Sequence, residues 1–212
     1  MKLVDLSHTI SPRMPAYPGT SPPVFTTPCT IANTGFNERK VILYSHTGTH
    51  VDAPAHIIPG GKTLDQISAD NFVGKSAVLD LAANKKSTIE IVDLESYQSF
   101  IEKSEFILLH TGWCQLWGKK GYFQGYPLLS HEAAKWVSSF NLKGLGVDTI
   151  SVDEVGSTAF PIHRILLERN IIVVENLKNL NILPLSGFIF SCLPLNLEEG
   201  DGSPVRAVAI IE

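Results

Sequence analysis

His46, His50, Asp52 and His56 fall within one run, Ser45-His46-Thr47-Gly48-Thr49-His50-Val51-Asp52-Ala53-Pro54-Ala55-His56, which holds three of the chain's seven histidines. Imidazole and carboxylate are the ligand types that suit zinc and related divalent cations. All four residues sit at even positions, so in an extended chain they project from one face. A helix would align His46 with His50 but turn Asp52 away, and Gly48 and Pro54 both oppose a helix here. The segment is therefore read as extended. At ~3.3 Å per residue, a straight strand would hold His46 and His50 ~13 Å apart. A zinc–nitrogen bond is only ~2.1 Å, so a shared ion requires a bend, and Gly48 permits one. Asp52 completes a set of two histidines and one carboxylate. Such a set leaves coordination positions open for water, which marks catalytic sites. His56, beyond a proline-stiffened step, is better placed to act beside the ion than to bind it.

A second acid–histidine pair lies at His163 and Glu175. His163 opens a helix expected over Pro161–Glu168, with proline in the first turn, and Glu175 closes the strand expected over Ile171–Glu175. About 9 Å of helix out and about 16 Å of strand back would bring both to one edge. A carboxylate after four aliphatic residues is costly to bury without a cation. Metal ligation and an ion pair with Arg164 or Lys178 are the two readings of this pair.

The elements that must carry these groups are mostly short runs rich in β-branched residues. Strands are expected at Lys40–Tyr44, Ser76–Leu81, Phe106–His110, Leu145–Val147, Gly187–Ser191 and Val205–Ile211 as well. Helical spacing recurs over Val92–Lys103, where Asp93 favours the start, and after Ser130, a candidate N-cap. Pro12–Pro28 reads as irregular coil. Strands mixed with a few helices, without strict alternation, predict an α/β or α+β fold dominated by its sheet. One domain is expected over residues 1–212, with 1–35 a proline-rich leading segment that lies over the active site as a functional loop.

Apolar residues make up 44% and charged residues 18%, ordinary values for a globular protein. The net charge of -4 argues against nucleic acid, whose binders carry a basic face. No apolar run approaches the ~18 residues of a membrane helix. The start MKLVDLSHTI lacks a secretory core, and Cys29, Cys114 and Cys192 are widely spaced. They read as free thiols, and a cytoplasmic address is expected. Cys114 has no base partner that would make it a nucleophile.

The run His46-x-Gly48-Thr49-His50-x-Asp52-x-Pro54-x-His56 resembles the signature of the cyclase family of metal-dependent hydrolases, which includes bacterial arylformamidases and isatin hydrolases. Asp5-Leu6-Ser7-His8, Tyr17-Pro18-Gly19, His110-Thr111-Gly112-Trp113, the segment from Gly146 to Asp153, His163-Arg164-Ile165-Leu166-Leu167 and Glu175-Asn176-Leu177 are similar to further family segments. The resemblance spans nearly the whole chain. It implies a swivelling β/α domain with a mixed, sheet-rich core flanked by a few helices, as a homodimer or homotetramer.

The resemblance also implies roles. His46, His50 and Asp52 would bind one zinc, Asp52 would bridge to a second held by His163 and Glu175, and His56 would be the catalytic acid/base. Manganese is the alternative metal. The implied reaction is hydrolysis of an amide bond in a small aromatic substrate, as in conversion of N-formylkynurenine to kynurenine and formate in tryptophan catabolism. Opening of an isatin-like cyclic amide or a lactone, a cyclisation, or a non-catalytic metal-binding module are the other readings. Tyr17 stands where the formamidases usually carry tryptophan. Tyr17, Phe25 and Trp113 are the candidates to stack on an aromatic substrate. Asp148 and Asp153 follow a short strand from which they could line the site, but turn hydrogen bonds are the first expectation, and His8 and His131 are expected to be structural or exposed.

Overall fold

A computed structural model describes residues 1–84 and 86–211. The strands are β1 (Lys2–Asp5), β2 (Val24–Cys29), β3 (Glu38–Ile42), β4 (His50–Asp52), β5 (Val73–Asp80), β6 (Thr88–Ile89) and β7 (Phe106–His110). They continue as β8 (Leu128–Leu129), β9 (Gly144–Val147), β10 (Ile172–Glu175), β11 (Ser186–Ser191), β12 (Gly202–Pro204) and β13 (Val208–Ile211). The helices are short: α1 (Ile31–Thr34), α2 (Ile91–Leu94), α3 (Gln98–Ile101), α4 (His131–Val137) and α5 (Pro161–Leu167). Among the described residues no helix is long and apolar enough to cross a membrane.

Nine strands form one mixed sheet in the order β1-β13-β11-β5-β7-β9-β10-β4-β12, with β5, β7, β9 and β10 parallel at its centre. Alternation along the strands builds a core on each face. Ile107, Leu109, Leu145 and Val173 point to one face, where they pack with Leu94, Ile101, Ala134, Val137 and Leu166 of the helices. Phe106, Leu108, Ile172 and Val174 point to the other. There the sheet itself curls round to supply the cover, through Val4, Val51, Phe188, Phe190 and Ala209. Residues 205–207 tie the two edges together. Val205 N donates to Thr49 O at 3.0 Å, beside β4, and Leu6 N donates to Ala207 O at 2.9 Å, beyond β1.

That closure corrects the strand expected over Val205–Ile211. The pairing is split: β12 pairs with β4, and β13 pairs with β11 and β1 at the opposite edge. The coil expected over Pro12–Pro28 also fails from Val24 onward, because β2 pairs antiparallel with β3 as a two-stranded ribbon. The strand expected at Lys40–Tyr44 accordingly starts at Glu38 and ends at Ile42. The helix expected over Val92–Lys103 is α2 and α3, separated by a 3-10 turn at Glu95–Tyr97. Asp93 does start it, its carboxylate accepting from Glu90 N at 2.9 Å. Ser130 caps α4, accepting from Ala133 N at 3.2 Å.

Candidate metal centre

The chain bends at Gly48, whose φ of 69° is open to glycine at little cost. His46 lies in the turn before the bend, and His50 and Asp52 lie in β4 after it. The extended reading thus holds for β4 alone, since His56 sits in a 3-10 turn over Pro54–His56. Register does the rest. β4 runs antiparallel to β10 with His50 opposite Glu175, and directly opposed residues share a face. His163, in the first turn of α5, reaches the same point from the helical layer.

Asp52 lies at the centre. Its Oδ1 is 2.6 Å from His46 Nδ1 and 3.2 Å from His50 Nε2, and its Oδ2 is 3.5 Å from His163 Nε2. Glu175 stands 3.4 Å from His50 Nε2 and 3.3 Å from His163 Nε2. The structure therefore brings His46, His50, Asp52, His163 and Glu175 together. Glu175 pairs with neither Arg164 nor Lys178; Arg164 Nε donates instead to Ala159 O at 2.9 Å. His56 packs its ring on His46 with centroids 3.9 Å apart and lies 5.9 Å from the His163 ring.

The outer hydrogen bonds decide which nitrogen each imidazole presents. Gly48 O can only accept, so His50 Nδ1, 2.8 Å away, carries a proton. The Asp153 carboxylate takes Ile162 N and His163 N at 2.9 and 3.0 Å, as well as His163 Nδ1 at 2.7 Å. In their neutral forms both rings then direct an Nε2 lone pair at the oxygens of Asp52 and Glu175. Lone pairs facing carboxylates across 3.2–3.5 Å repel unless a positive charge lies between them. Asp52 Oδ2 is buried without a hydrogen-bond partner among the described residues. A divalent cation satisfies all of these groups at once, and the donor set fits one.

Without such an ion, protons on the imidazoles supply the positive charge instead. Burial works against a charge on His46, but the hydrogen bonds to Asp201 and Asp52 outweigh it and raise the imidazole to about 10. Burial likewise opposes charge on His50 and His163, and is outweighed by Asp52 and Glu175 at the first and by Asp153, Asp52 and Glu175 at the second. Burial disfavours the Asp52 carboxylate, yet the three imidazoles hold it well below the usual range. His56 differs. Burial lowers it, and with the charges of His46 and His163 it outweighs the opposing pull of Asp52 and Glu175, which favours the neutral base.

A cavity of about 360 Å³ opens above the cluster. Its walls include Met14, Tyr17, Pro23, Tyr44, Trp117 and Phe160, and His46, His50, His56, His163 and Glu175 form its floor. Tyr17 lines the cavity, its hydroxyl accepting from Gly156 N at 3.2 Å. Trp113 and Phe25 do not line it. Trp113 Nε1 donates to Tyr122 O at 2.8 Å and the ring packs on Tyr126, while Phe25 lies on the ribbon under Arg39. Trp117, four residues on, supplies the indole at the wall and stacks on His8 with centroids 4.0 Å apart.

Three contributors were not assigned by the sequence. Asn176 donates to Gly48 O at 2.9 Å and fixes the bend. Asp201 meets His46 Nε2 at 2.9 Å from 155 positions away, with no local pattern to announce it. Asp153, expected in turn bonds first and at the site second, holds His163. Asp148, also expected in turn bonds, is instead buried and accepts from Thr111 N and Gly112 N, 37 and 36 positions away. Burial pushes the Cys114 thiol up to about 11, so it supplies no thiolate.

The sequence profile described as putative cyclase matches residues 4–154. The kynurenine formamidase of Bacillus cytotoxicus is 30% identical over 211 residues, 97% of this chain and 95% of that one. The kynurenine formamidase of Salinibacter ruber is 30% identical over 98% of this chain and 97% of its own length. Isatin hydrolase A from Ralstonia solanacearum superposes with a TM-score of 0.86 at 28% identity, covering 100% of this chain and 92% of that one. The chain belongs to the putative cyclase family of metal-dependent hydrolases.

Proposed function

We propose that this protein is a metal-dependent hydrolase that cleaves a non-peptide C–N amide bond in a small aromatic substrate, of the arylformamidase kind. N-formylkynurenine, released as kynurenine and formate, is the substrate proposed first, because two formamidases match the chain over nearly all of its length. The observation that carries the reading is the buried cluster around Asp52, with its unpartnered Oδ2, beneath a cavity walled by Tyr17, Tyr44, Trp117 and Phe160.

His46, His50 and Asp52 would hold one cation, and His163 and Glu175, sharing Asp52, a second. Zinc suits the imidazole-rich side of this set and manganese its carboxylates. Such ions lower the pKa of a bound water toward ~7 and polarise a carbonyl oxygen. The chain's own groups do the remainder. Asp153 and Gly48 O hold two imidazoles in the ligand tautomer. His56, neutral at the cavity floor, accepts a proton from the attacking water and passes it to the leaving amine. The aromatic wall seats the ring of the substrate and keeps solvent from the reacting carbonyl.

A second reading, opening of a cyclic amide such as isatin, is favoured by the superposition on isatin hydrolase A. A module that only binds metal would not need His56 on the cavity floor. We place the protein in the cytoplasm as a homodimer or homotetramer. Elemental analysis of the purified protein, paired with hydrolysis assays on N-formylkynurenine and isatin, is the test. About two zinc or manganese ions per chain with turnover of either compound is expected. A metal-replete protein that binds no divalent ion ends the reading.

A further inference from the structure

Each imidazole at the centre has one ring nitrogen tied by an acceptor and turns the other toward Asp52. For His50 the acceptor is Gly48 O, and for His163 it is Asp153. For His46 it is Asp201, whose Oδ2 lies 2.9 Å from Nε2, while Nδ1 faces Asp52. His46 is the imidazole that most needs such a tie. It precedes β4 in a turn, outside any strand, and its side chain is 22% exposed against 4% for His50 and His163.

Asp201 is itself well anchored. Its carbonyl accepts from Ala53 N at 2.9 Å, and the next residue, Gly202, pairs with Asp52 in the β4–β12 ladder. The carboxylate thus hangs from the backbone of the strand that carries His50 and Asp52. The same Oδ2 also faces His56 Nδ1, at 3.6 Å, beside the tilted pair of His46 and His56 rings.

We infer that Asp201 is a positioning residue: it fixes His46 as the Nε2–H tautomer, so that His46 offers Nδ1 to the cation where His50 and His163 offer Nε2. The inference rests on the metal-centre reading above and adds to it a residue and a ligand atom. His56 feels the same carboxylate through its packing on His46, so its place above the cluster depends on Asp201 as well. Loss of the tie frees the His46 ring to rotate and to present either nitrogen.

The experiment uses the full chain as wild type, Asp201→Ala, Asp201→Asn and His50→Ala. Zinc affinity is read by competition with a chromophoric chelator, and the imidazole tautomers of the zinc-loaded protein by 15N NMR. Removing the partner of a metal-bound imidazole should weaken zinc by about 10–100-fold in Asp201→Ala. Asp201→Asn, which keeps an acceptor oxygen and the shape of the side chain, should fall between that variant and wild type. The His46 15N signals should show zinc on Nδ1 in wild type and mixed coordination in Asp201→Ala. Zinc binding within about twofold of wild type in Asp201→Ala, or zinc on Nε2 of His46 in wild type, overturns the inference while leaving the metal centre standing. If wild type binds neither zinc nor manganese, or His50→Ala binds zinc equally well, the metal-centre reading falls first and takes the inference with it.

Discussion

Asn176 Nδ2 donates to the carbonyl of Gly48 at 2.9 Å, and that same oxygen accepts from His50 Nδ1 at 2.8 Å. The bend that separates His46 from His50 is thereby locked to the ring it serves. Asn176 is locked in turn, since Tyr122 OH donates to its Oδ1 at 2.6 Å and its own φ of 59° suits asparagine better than alanine. Asn176→Ala leaves the buried Tyr122 hydroxyl without that acceptor and strains the backbone. A loss of about 2–3 kcal/mol in chemical denaturation is expected. Zinc affinity should drop with it, because the Gly48 carbonyl loses its brace. Unchanged zinc binding in a destabilised variant would reduce Asn176 to a residue of the fold.

Gly202 has no room for a side chain. A Cβ there would stand 2.5 Å from His46 Cε1 and 2.9 Å from Nε2, closer than real contacts allow. The neighbour that must yield is the imidazole, which borders the open cavity. Gly202→Ala is therefore expected to cost about 1–3 kcal/mol of stability at most, as overpacking does. The larger effect should fall on metal binding and turnover, because His46 is pushed away from Asp52. Calorimetric unfolding beside a zinc titration separates the two, and a variant with wild-type zinc affinity would contradict the packing argument.

The local part of this centre was legible in the sequence. His46, His50, Asp52 and His56 share one short run, and the glycine that bends it lies inside that run. β7 at Phe106–His110 was legible too, as a continuous apolar stretch buried on both faces. What local pattern could not carry was pairing at a distance. β4 is a three-residue strand in a segment of glycine and proline, and it exists because β10 and β12 flank it. Asp201 and Asn176 act across 155 and 128 positions, so nothing near them in sequence marks their partners. Trp113 and Trp117 sit at the two ends of one 3-10 turn, and which of them faces the cavity depends on how Tyr122 and Tyr126 pack beneath that turn.

Asp153 binds three donors at the start of α5, two backbone N–H groups and His163 Nδ1. Asp153→Asn keeps an oxygen for the backbone but loses the charge that holds the imidazole proton. Helix content should survive in circular dichroism. Affinity for the ion proposed at His163 and Glu175 should weaken by about 10–100-fold, the usual penalty for losing a partner behind a metal-bound histidine. A dichroism spectrum that collapses would instead assign Asp153 to the helix end alone.

His50 and His56 should part company when each is replaced by alanine. His50 is buried between Asp52 and Glu175, so His50→Ala removes the imidazole that would ligate the ion beside the two carboxylates. Metal content and turnover should fall together, and the thermal stabilisation that added zinc gives wild type should disappear. In wild type that stabilisation should approach about 2.7 kcal/mol at a free-zinc level 100-fold above Kd. His56 stands beyond ion-pair range of Asp52 and Glu175, although one of its ring nitrogens lies within 4.8 Å of an Asp52 oxygen; its close partners are the His46 ring and Asp201. His56→Ala should therefore keep its metal and its zinc-dependent stabilisation while kcat falls by about 10²–10⁴-fold, the scale of a lost general acid/base. Because the lost group acts on protons in the reaction itself, KM should move far less than kcat. Near-wild-type hydrolysis by His56→Ala would strip it of the acid/base role, and loss of metal from the same variant would make it a ligand instead.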